Sequence, residues 1–168
     1  MADQCNTQAQ NFTLKSPDLG GQATVNEEFD GFGCTGKNLS PELIWSHPQA
    51  GAKSFAITMY DPDAPTGSGW WHWLVFNIPA NINKLERGFG SKKINEIGVI
   101  QSITDYGKTG YGGPCPPAGH GIHEYMLTVY ALNVEKLDLD EHANPATVGF
   151  NINAHMLAKA SLVIYYKR

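Results

Sequence analysis

The first residues that could do chemistry are Asp61 and Asp63, which lie in an Asp-Pro-Asp-Ala-Pro run shortly before Trp70 and His72. A carboxylate beside a histidine can orient the imidazole and favour its protonated form. Two prolines fix the backbone of this connection, so both carboxylates would keep fixed directions. The alternative is that Asp61 and Asp63 are only turn residues, a position that aspartate favours.

A second cluster begins with a loop over residues 110–122, which contains five glycines and three prolines and leads into His123 and Tyr125. Glycine lets backbone N–H groups approach a ligand without an intervening Cβ, and such N–H groups can bind an anion. His123 and Tyr125 share one face of a strand because side chains alternate with period two. We therefore expect loop N–H groups and these two side chains to line one site.

Strands at five places in the chain must position these residues, and a sixth short strand precedes them. The predicted strands cover residues 43–45, 54–60, 72–78, 123–132 and 161–166, with 12–14 as the sixth. Residues 54–60 and 123–132 are apolar on nearly both faces, which predicts central strands covered on both sides. A helix is predicted over 145–160, because Asn144 is a good N-cap and Pro145 suits the first helical position.

The topology then decides whether the two clusters meet. If strands 54–60 and 72–78 are antiparallel neighbours, Asp61 and His72 lie at the same rim of the sheet. If the strand that begins at His123 runs in the direction of 72–78, both histidines open onto that rim. We expect both to be solvent-facing and protonated, with pKa values raised by Asp61 or Asp63, which suits a small anion such as phosphate. The alternative for each histidine is a structural or merely exposed side chain.

Composition narrows the class of protein. At 168 residues, 42% of them hydrophobic, the chain suits one folded domain over 1–168 and is not disordered. A net charge of −4 provides no field for nucleic acid, and no apolar run reaches the roughly 20 residues of a membrane span. The polar first ten residues lack the apolar core of a signal peptide, so we expect a cytoplasmic protein, or a periplasmic or secreted one if a signal was removed.

The three cysteines, Cys5, Cys34 and Cys115, have no metal-knuckle spacing. We expect all three to be reduced, although a bridge between Cys34 and Cys115 stays open as an alternative. A metal site formed by His72, His123 and Asp61 is also conceivable, but nothing in the sequence fixes the number of ligands. We expect neither a metal nor a cofactor.

The two clusters together resemble two signatures of the phosphatidylethanolamine-binding proteins, also called Raf kinase inhibitor proteins. The first is Asp61-Pro-Asp-Ala-Pro followed by Trp70-Trp-His-Trp-Leu-Val-Phe-Asn. The second is Gly112-Gly-Pro-Cys-Pro-Pro followed by Gly121-Ile-His-Glu-Tyr. The likeness spans nearly the whole chain, and the segment Gly33-Cys-Thr-Gly-Lys-Asn-Leu-Ser-Pro resembles the bacterial branch in particular.

This resemblance implies a mostly β protein: a β-sandwich with a large central sheet, a smaller second sheet and a C-terminal helix. It also implies a pocket for phosphate, phosphorylated headgroups or similar anions. Carried over residue by residue, the ligand-binding residues are Asp61, Asp63, Pro65, Trp70, His72, Gly112, Gly113, Pro116, Pro117, His123 and Tyr125.

Three functions remain open at this point. The first is a protein that binds a small anionic ligand and regulates a partner protein through that pocket. The second is an inhibitor of a protease or kinase that acts by surface contacts. The third is a hydrolase using a His/Asp pair, with water or Cys115 as nucleophile. We favour the binding protein over an enzyme, expect no nucleic acid partner and no membrane insertion, and leave open whether the chain forms a homodimer.

Overall fold

The structure, a computed structural model, describes residues 11–92 and 98–168. Within these ranges the chain forms ten β-strands, one α-helix and a 3-10 turn at Phe89–Ser91. The elements are β1 (Thr13–Lys15), β2 (Asp30–Gly31), β3 (Cys34–Thr35), β4 (Leu43–Ser46), β5 (Ser54–Asp61), β6 (Trp70–Pro79), β7 (Lys84–Leu85), β8 (Ile100–Gln101), β9 (His123–Leu132), α1 (Pro145–His155) and β10 (Met156–Tyr166).

The strands assemble into one large sheet and two smaller ones. The large sheet has the order β10-β9-β5-β6-β8, the second sheet has the order β1-β4-β7, and β2 pairs with β3. The helix α1 packs on the large sheet through Val148 and Ile152. The predicted mostly β sandwich, with a large sheet, a smaller second sheet and a C-terminal helix, is confirmed.

Alternation along the strands divides the core into two layers. Trp73 and Val75 of β6 pack between the large and second sheets, and the intervening Leu74 packs toward α1. This follows from the period of two, since successive side chains of a strand point to opposite faces. β5 is buried along nearly its whole length, as predicted, whereas β9 alternates at its start, where Glu124 and Met126 are exposed.

The predicted strands are all present, with bounds that agree to within two residues except at the C-terminal strand. That strand begins at Met156 rather than at 161, so the helix predicted over 145–160 ends at His155. The N-terminal part of the helix prediction is confirmed, because the Asn144 side chain accepts a hydrogen bond from the Thr147 N–H at 2.9 Å. Residues 156–160 suit a helix, but pairing with β9 outweighs that preference.

The cysteine prediction is wrong for two of the three residues. Cys34 and Cys115 form a disulfide with a Cα–Cα distance of 6.0 Å, and Cys5 lies outside the described residues. The bond joins β3 to the glycine- and proline-rich loop before β9 across 81 residues of sequence. Spacing in the sequence could not show this, because the two cysteines meet only when that loop packs against β3.

Two further features of the described residues bear on function. Among residues 11–92 and 98–168, no helix has the length and apolar character that crossing a bilayer requires. The same residues contain no group of three or more histidine, cysteine, aspartate or glutamate side chains arranged to hold a metal ion.

Candidate functional site

One rim of the large sheet gathers the predicted site residues. β5 is antiparallel to both β6 and β9, and Asp61 at the end of β5 pairs with Trp70 at the start of β6. His72 follows two residues later, and His123 begins β9. Because β6 and β9 therefore run in the same direction, both histidines lie at the rim where β5 ends, which confirms the topology predicted from the sequence.

Aromatic rings form a continuous wall at this rim. The ring of Tyr106 lies edge-on to Trp70 and to His72, with centroid distances of 5.4 Å in each case. The His72 ring lies 5.1 Å from that of Tyr125, which in turn lies 6.3 Å from the ring of His123. Residues from β6, from β9 and from the segment between β8 and β9 thus face one another.

Asp61, His123 and His120 form a hydrogen-bonded chain. The Nδ1–H of His123 donates to Asp61 Oδ2 at 2.8 Å, with both side chains almost fully buried. The opposite ring nitrogen of His123, Nε2, lies 2.8 Å from Nδ1 of His120, an exposed residue, and one proton lies between the two rings. The carboxylate fixes the orientation of His123 and leaves Nε2 as the nitrogen that can meet a ligand.

His72 is held quite differently. Its Nδ1 lies 2.8 Å from the carbonyl oxygen of Gly112 and 3.2 Å from that of Gly113. Burial lowers the pKa of His72 to about 4, and it outweighs the opposing effects of the two carbonyls and of the Asp61 carboxylate. The expectation of a protonated His72 with a raised pKa at a solvent-facing rim is therefore wrong, since the side chain is 2% exposed.

The backbone N–H groups of Gly112 and Gly113 are already used within the protein. Gly112 N–H donates to the His72 carbonyl at 2.9 Å, and Gly113 N–H donates to Asn38 Oδ1 at 2.8 Å. A Cβ on Gly113 would lie 1.8 Å from the carbonyl oxygen of Glu27. The expectation that these two N–H groups bind the anion is therefore wrong, and glycine is needed here because the backbones pack closely.

Asp63 also plays a different part from the predicted one. Its N–H donates to Asp61 Oδ1 at 2.8 Å, and its own Oδ2 accepts the N–H of Glu124 at 2.8 Å. The side chain thereby ties the β5–β6 loop to the start of β9. No hydrogen bond joins Asp63 to either His72 or His123 in the part of the chain that the structure describes.

Two polar atoms at the rim lack partners. Tyr125 Oη and Trp70 Nε1 are buried, and neither has a hydrogen-bond partner among the described residues. Burial and the Asp61 carboxylate raise the pKa of Tyr125, so its hydroxyl stays protonated and can donate.

The three prolines predicted to bind a ligand differ in their exposure. Pro116 is buried, whereas Pro65 and Pro117 are exposed.

Sequence reasoning missed three residues that shape this site. The Tyr106 hydroxyl donates to Gly113 O at 2.9 Å, and its ring stacks on Phe29 at 4.1 Å. Asn38 holds the Gly113 N–H, and His120 reaches His123. Nothing in the sequence marks Tyr106 or Asn38, because each acts through a contact made far along the chain. The spacing of His120 and His123 is metal-like, but the run is rich in glycine and not helical, so the sequence gives it no role.

A separate cleft of about 620 Å³ lies behind the rim. It shares Tyr106 and Gly112 with the site but does not include His72 or His123. Three lysines contribute to its lining, namely Lys37, Lys92 and Lys108. The histidine rim is therefore not part of this cleft.

The phosphatidylethanolamine-binding protein family model matches residues 16–167. The UPF0098 protein YbhB of Escherichia coli (strain K12) is 52% identical over 139 residues, which cover 82% of this chain and 87% of YbhB. YbcL of the same organism is 44% identical over 164 residues, which cover 95% of this chain and 90% of YbcL. The putative lipoprotein LppC of Mycobacterium tuberculosis is 36% identical over 129 residues, which cover 75% of this chain and 58% of LppC.

Solved structures agree with these sequence relatives. The crystal structure of E. coli YbcL, described as a new member of the mammalian PEBP family, superposes with a TM-score of 0.90, covering 94% of this chain and 98% of that one at 44% identity. A putative phosphatidylethanolamine-binding protein homologue from Chlamydia trachomatis gives a TM-score of 0.77 at 28% identity, covering 94% and 97% of the two chains. With a family match over most of its length and relatives of this identity, the chain belongs to the phosphatidylethanolamine-binding protein family.

Proposed function

We propose that this protein binds a small anion of the phosphate class at the rim formed by β5, β6 and β9. The observation that carries the proposal is the pair of buried, unpartnered polar atoms, Tyr125 Oη and Trp70 Nε1. Leaving a buried polar group without a hydrogen bond costs about 1–3 kcal/mol. Oxygen atoms of a bound anion would accept from both groups, so a ligand accounts for an arrangement that is otherwise unfavourable.

His123 is the third donor in this proposal. The Asp61 carboxylate at 2.8 Å from Nδ1 orients the ring, so that Nε2, when it carries a hydrogen, can donate to an anion. His120 occupies that nitrogen in the free protein and must give way or share it. Family membership supports a phosphate ligand, and the shared chemistry fits either a free phosphate or a phosphorylated headgroup.

Calorimetric titration with inorganic phosphate tests this proposal. His123→Ala removes a hydrogen bond to a charged group, worth about 1.5–3 kcal/mol, so the affinity should fall on the order of 10- to 150-fold. His142→Ala is the matched control, because the His142 side chain is exposed and lies 3.8 Å from Glu141. Absence of binding to the wild-type protein at tens of millimolar phosphate would reject the proposal.

A hydrolase is the second candidate, because the buried pair of Asp61 and His123 is the unit that orients a general base. Cys115 is in a disulfide, so water would have to serve as the nucleophile. Incubation with methyl phosphate checks this function: enzymatic release of inorganic phosphate that Asp61→Asn abolishes would favour it. Inhibition of a kinase or protease, regulation of a partner protein and homodimer formation stay predictions.

The disulfide also bears on where the protein acts. Disulfides persist in oxidising compartments and are rare in the reducing cytoplasm. We therefore favour the periplasmic or secreted alternative over the cytoplasmic location expected from the sequence. Thiol labelling of denatured protein taken directly from cells checks this: Cys34 and Cys115 should resist labelling until a reductant is added.

A further inference from the structure

The two carbonyl oxygens beside His72 fix where its proton resides. A carbonyl oxygen only accepts hydrogen bonds, so Nδ1, at 2.8 Å from Gly112 O and 3.2 Å from Gly113 O, must carry the hydrogen. In a neutral imidazole the other nitrogen, Nε2, is then a bare acceptor. The hydrogen bonds that the His72 ring makes to the described residues both involve Nδ1, which leaves Nε2 available to a ligand.

The surroundings of His72 keep the ring neutral. The Asp61 and Asp105 carboxylates favour protonation, but the side chain is 2% exposed and enclosed by the rings of Tyr106 and Tyr125. Burial outweighs both carboxylates and lowers the pKa of His72 to about 4. Protonating the ring at pH 7 is therefore unfavourable by a factor of about 1,000, since each pKa unit is tenfold.

The site consequently presents two kinds of partner to a ligand. Tyr125 Oη and Trp70 Nε1 can donate hydrogen bonds, whereas His72 Nε2 and the Asp61 carboxylate can only accept them. An anion without a hydrogen would place its oxygen against the His72 lone pair. A phosphate that retains a P–OH group can satisfy the donors with its other oxygens and His72 with its hydroxyl.

We propose that His72 is the specificity-determining residue of this site and selects phosphates that carry a P–OH group, namely inorganic phosphate and monoprotonated phosphate monoesters, over phosphodiesters and sulfate. This inference rests on the proposed anion-binding function and narrows its ligand class. Between the two sources of phosphate, it favours a free phosphate or monoester over the intact diester headgroup of a lipid. Sites built to hydrogen-bond a hydroxyl reject analogues that lack it by up to about 10⁴- to 10⁵-fold.

Four ligands distinguish a requirement for a P–OH group from general anion binding. Each is titrated calorimetrically into the wild-type protein at pH 5.5 and at pH 8. Inorganic phosphate keeps a P–OH group at both pH values, whereas sulfate and dimethyl phosphate have none at either. Methyl phosphate has its second pKa near 6, so about 1% of it retains the hydroxyl at pH 8. At pH 5.5 methyl and dimethyl phosphate carry nearly the same charge and differ in the P–OH group, which makes them the matched pair.

We expect methyl phosphate to bind on the order of 100-fold more tightly than dimethyl phosphate at pH 5.5, and to lose roughly that factor at pH 8. Inorganic phosphate should bind at both pH values, and sulfate should bind far more weakly than inorganic phosphate at pH 8. Equal affinity for sulfate and inorganic phosphate would overturn the inference while leaving anion binding intact. Failure of all four ligands to bind would reject the proposed function and the inference together.

Nitrogen-15 NMR of the histidine side chains gives a measurement that does not depend on affinity. In the free and phosphate-saturated protein, His72 should keep the neutral pattern with hydrogen on Nδ1, and an imidazolium pattern in the complex would overturn the inference.

His72→Phe should bring the ratio of the affinities for methyl and dimethyl phosphate close to one, whereas His123→Ala should weaken the binding of both ligands and leave that ratio unchanged. If His72→Phe does not fold, the ligand series and the NMR spectra of the wild-type protein decide the matter.

Discussion

The two flanks of the rim hold their histidines by opposite means. On the first flank, backbone carbonyls of Gly112 and Gly113 fix His72, and the disulfide of Cys115 anchors the same loop to β3. On the second flank, His123 is held by the Asp61 carboxylate and by the exposed His120. The neutral carbonyls fix the hydrogen of His72 on Nδ1 without supplying charge, whereas the Asp61 carboxylate places a negative charge beside His123.

The difference shows that two histidines at one rim of a sheet can have different roles. The first flank is a scaffold whose histidine keeps one protonation state across the physiological range. The second flank carries His123, whose ring the Asp61 carboxylate orients. Substitutions of Gly113 and of the disulfide should therefore act mainly on folding, those of His72 on stability and on the choice of ligand, and those of His123 mainly on the strength of binding.

The largest effect should come from the disulfide of the first flank. Cys34→Ser with Cys115→Ser should lower the free energy of unfolding by about 2–4 kcal/mol, because the link closes a long loop in the unfolded chain. Urea denaturation measures this. Adding reductant should destabilise the wild-type protein by a similar amount and leave the double variant unaffected; equal midpoints for the two proteins without reductant would contradict the prediction.

His72 should make stability depend on pH. Its pKa falls from 6.5 to about 4 on folding, so the unfolded chain binds more protons between these values. The stabilisation is complete above pH 6.5 and is lost as the pH falls toward 4, by up to about 3 kcal/mol. Comparing urea unfolding of wild type and His72→Gln at each pH isolates this contribution. If the free energy of unfolding of the two proteins changes with pH in the same way, His72 is not buried in its neutral form.

Gly113→Ala tests how tightly the first flank is packed. A Cβ there would meet the Glu27 carbonyl oxygen at 1.8 Å, so the backbone must shift at a cost of about 1–3 kcal/mol. Gly67→Ala is the matched control in the loop of the second flank, where nothing lies within 4 Å of the added atom. The free energy of unfolding of Gly67→Ala should stay within about 0.5 kcal/mol of the wild-type value. Equal midpoints for the two variants would refute the close approach.

The smallest effect should come from His120→Ala. The residue is exposed, so stability should change by less than about 0.5 kcal/mol. Nδ1 of His120 lies 2.8 Å from Nε2 of His123, so His120 competes with the anion for that nitrogen. Removing one such hydrogen bond should tighten phosphate binding by up to about tenfold, as calorimetry would show. A large loss of affinity would mean that His120 itself binds the ligand.

Much of the fold could be predicted because local patterns determine it. Short apolar runs locate β5, β6 and β9, since each strand must bury one or both faces. Asn144 and Pro145 mark the start of α1 because capping is a contact within one turn. The end of α1 was wrong, because residues 156–160 become a strand only through pairing with β9.

The sequence alone thus determined the central strands and the family resemblance, because apolar runs and motifs are local patterns. That Asp61, His72 and His123 share one rim depends on the pairing of β5 with β6 and β9. Only the tertiary structure decided what each group does there. The proton on His72, the use of the Gly113 N–H by Asn38 and the Cys34–Cys115 bond all depend on contacts between distant segments. A pKa and a hydrogen-bond partner depend on burial and close neighbours, which no spacing along the chain contains.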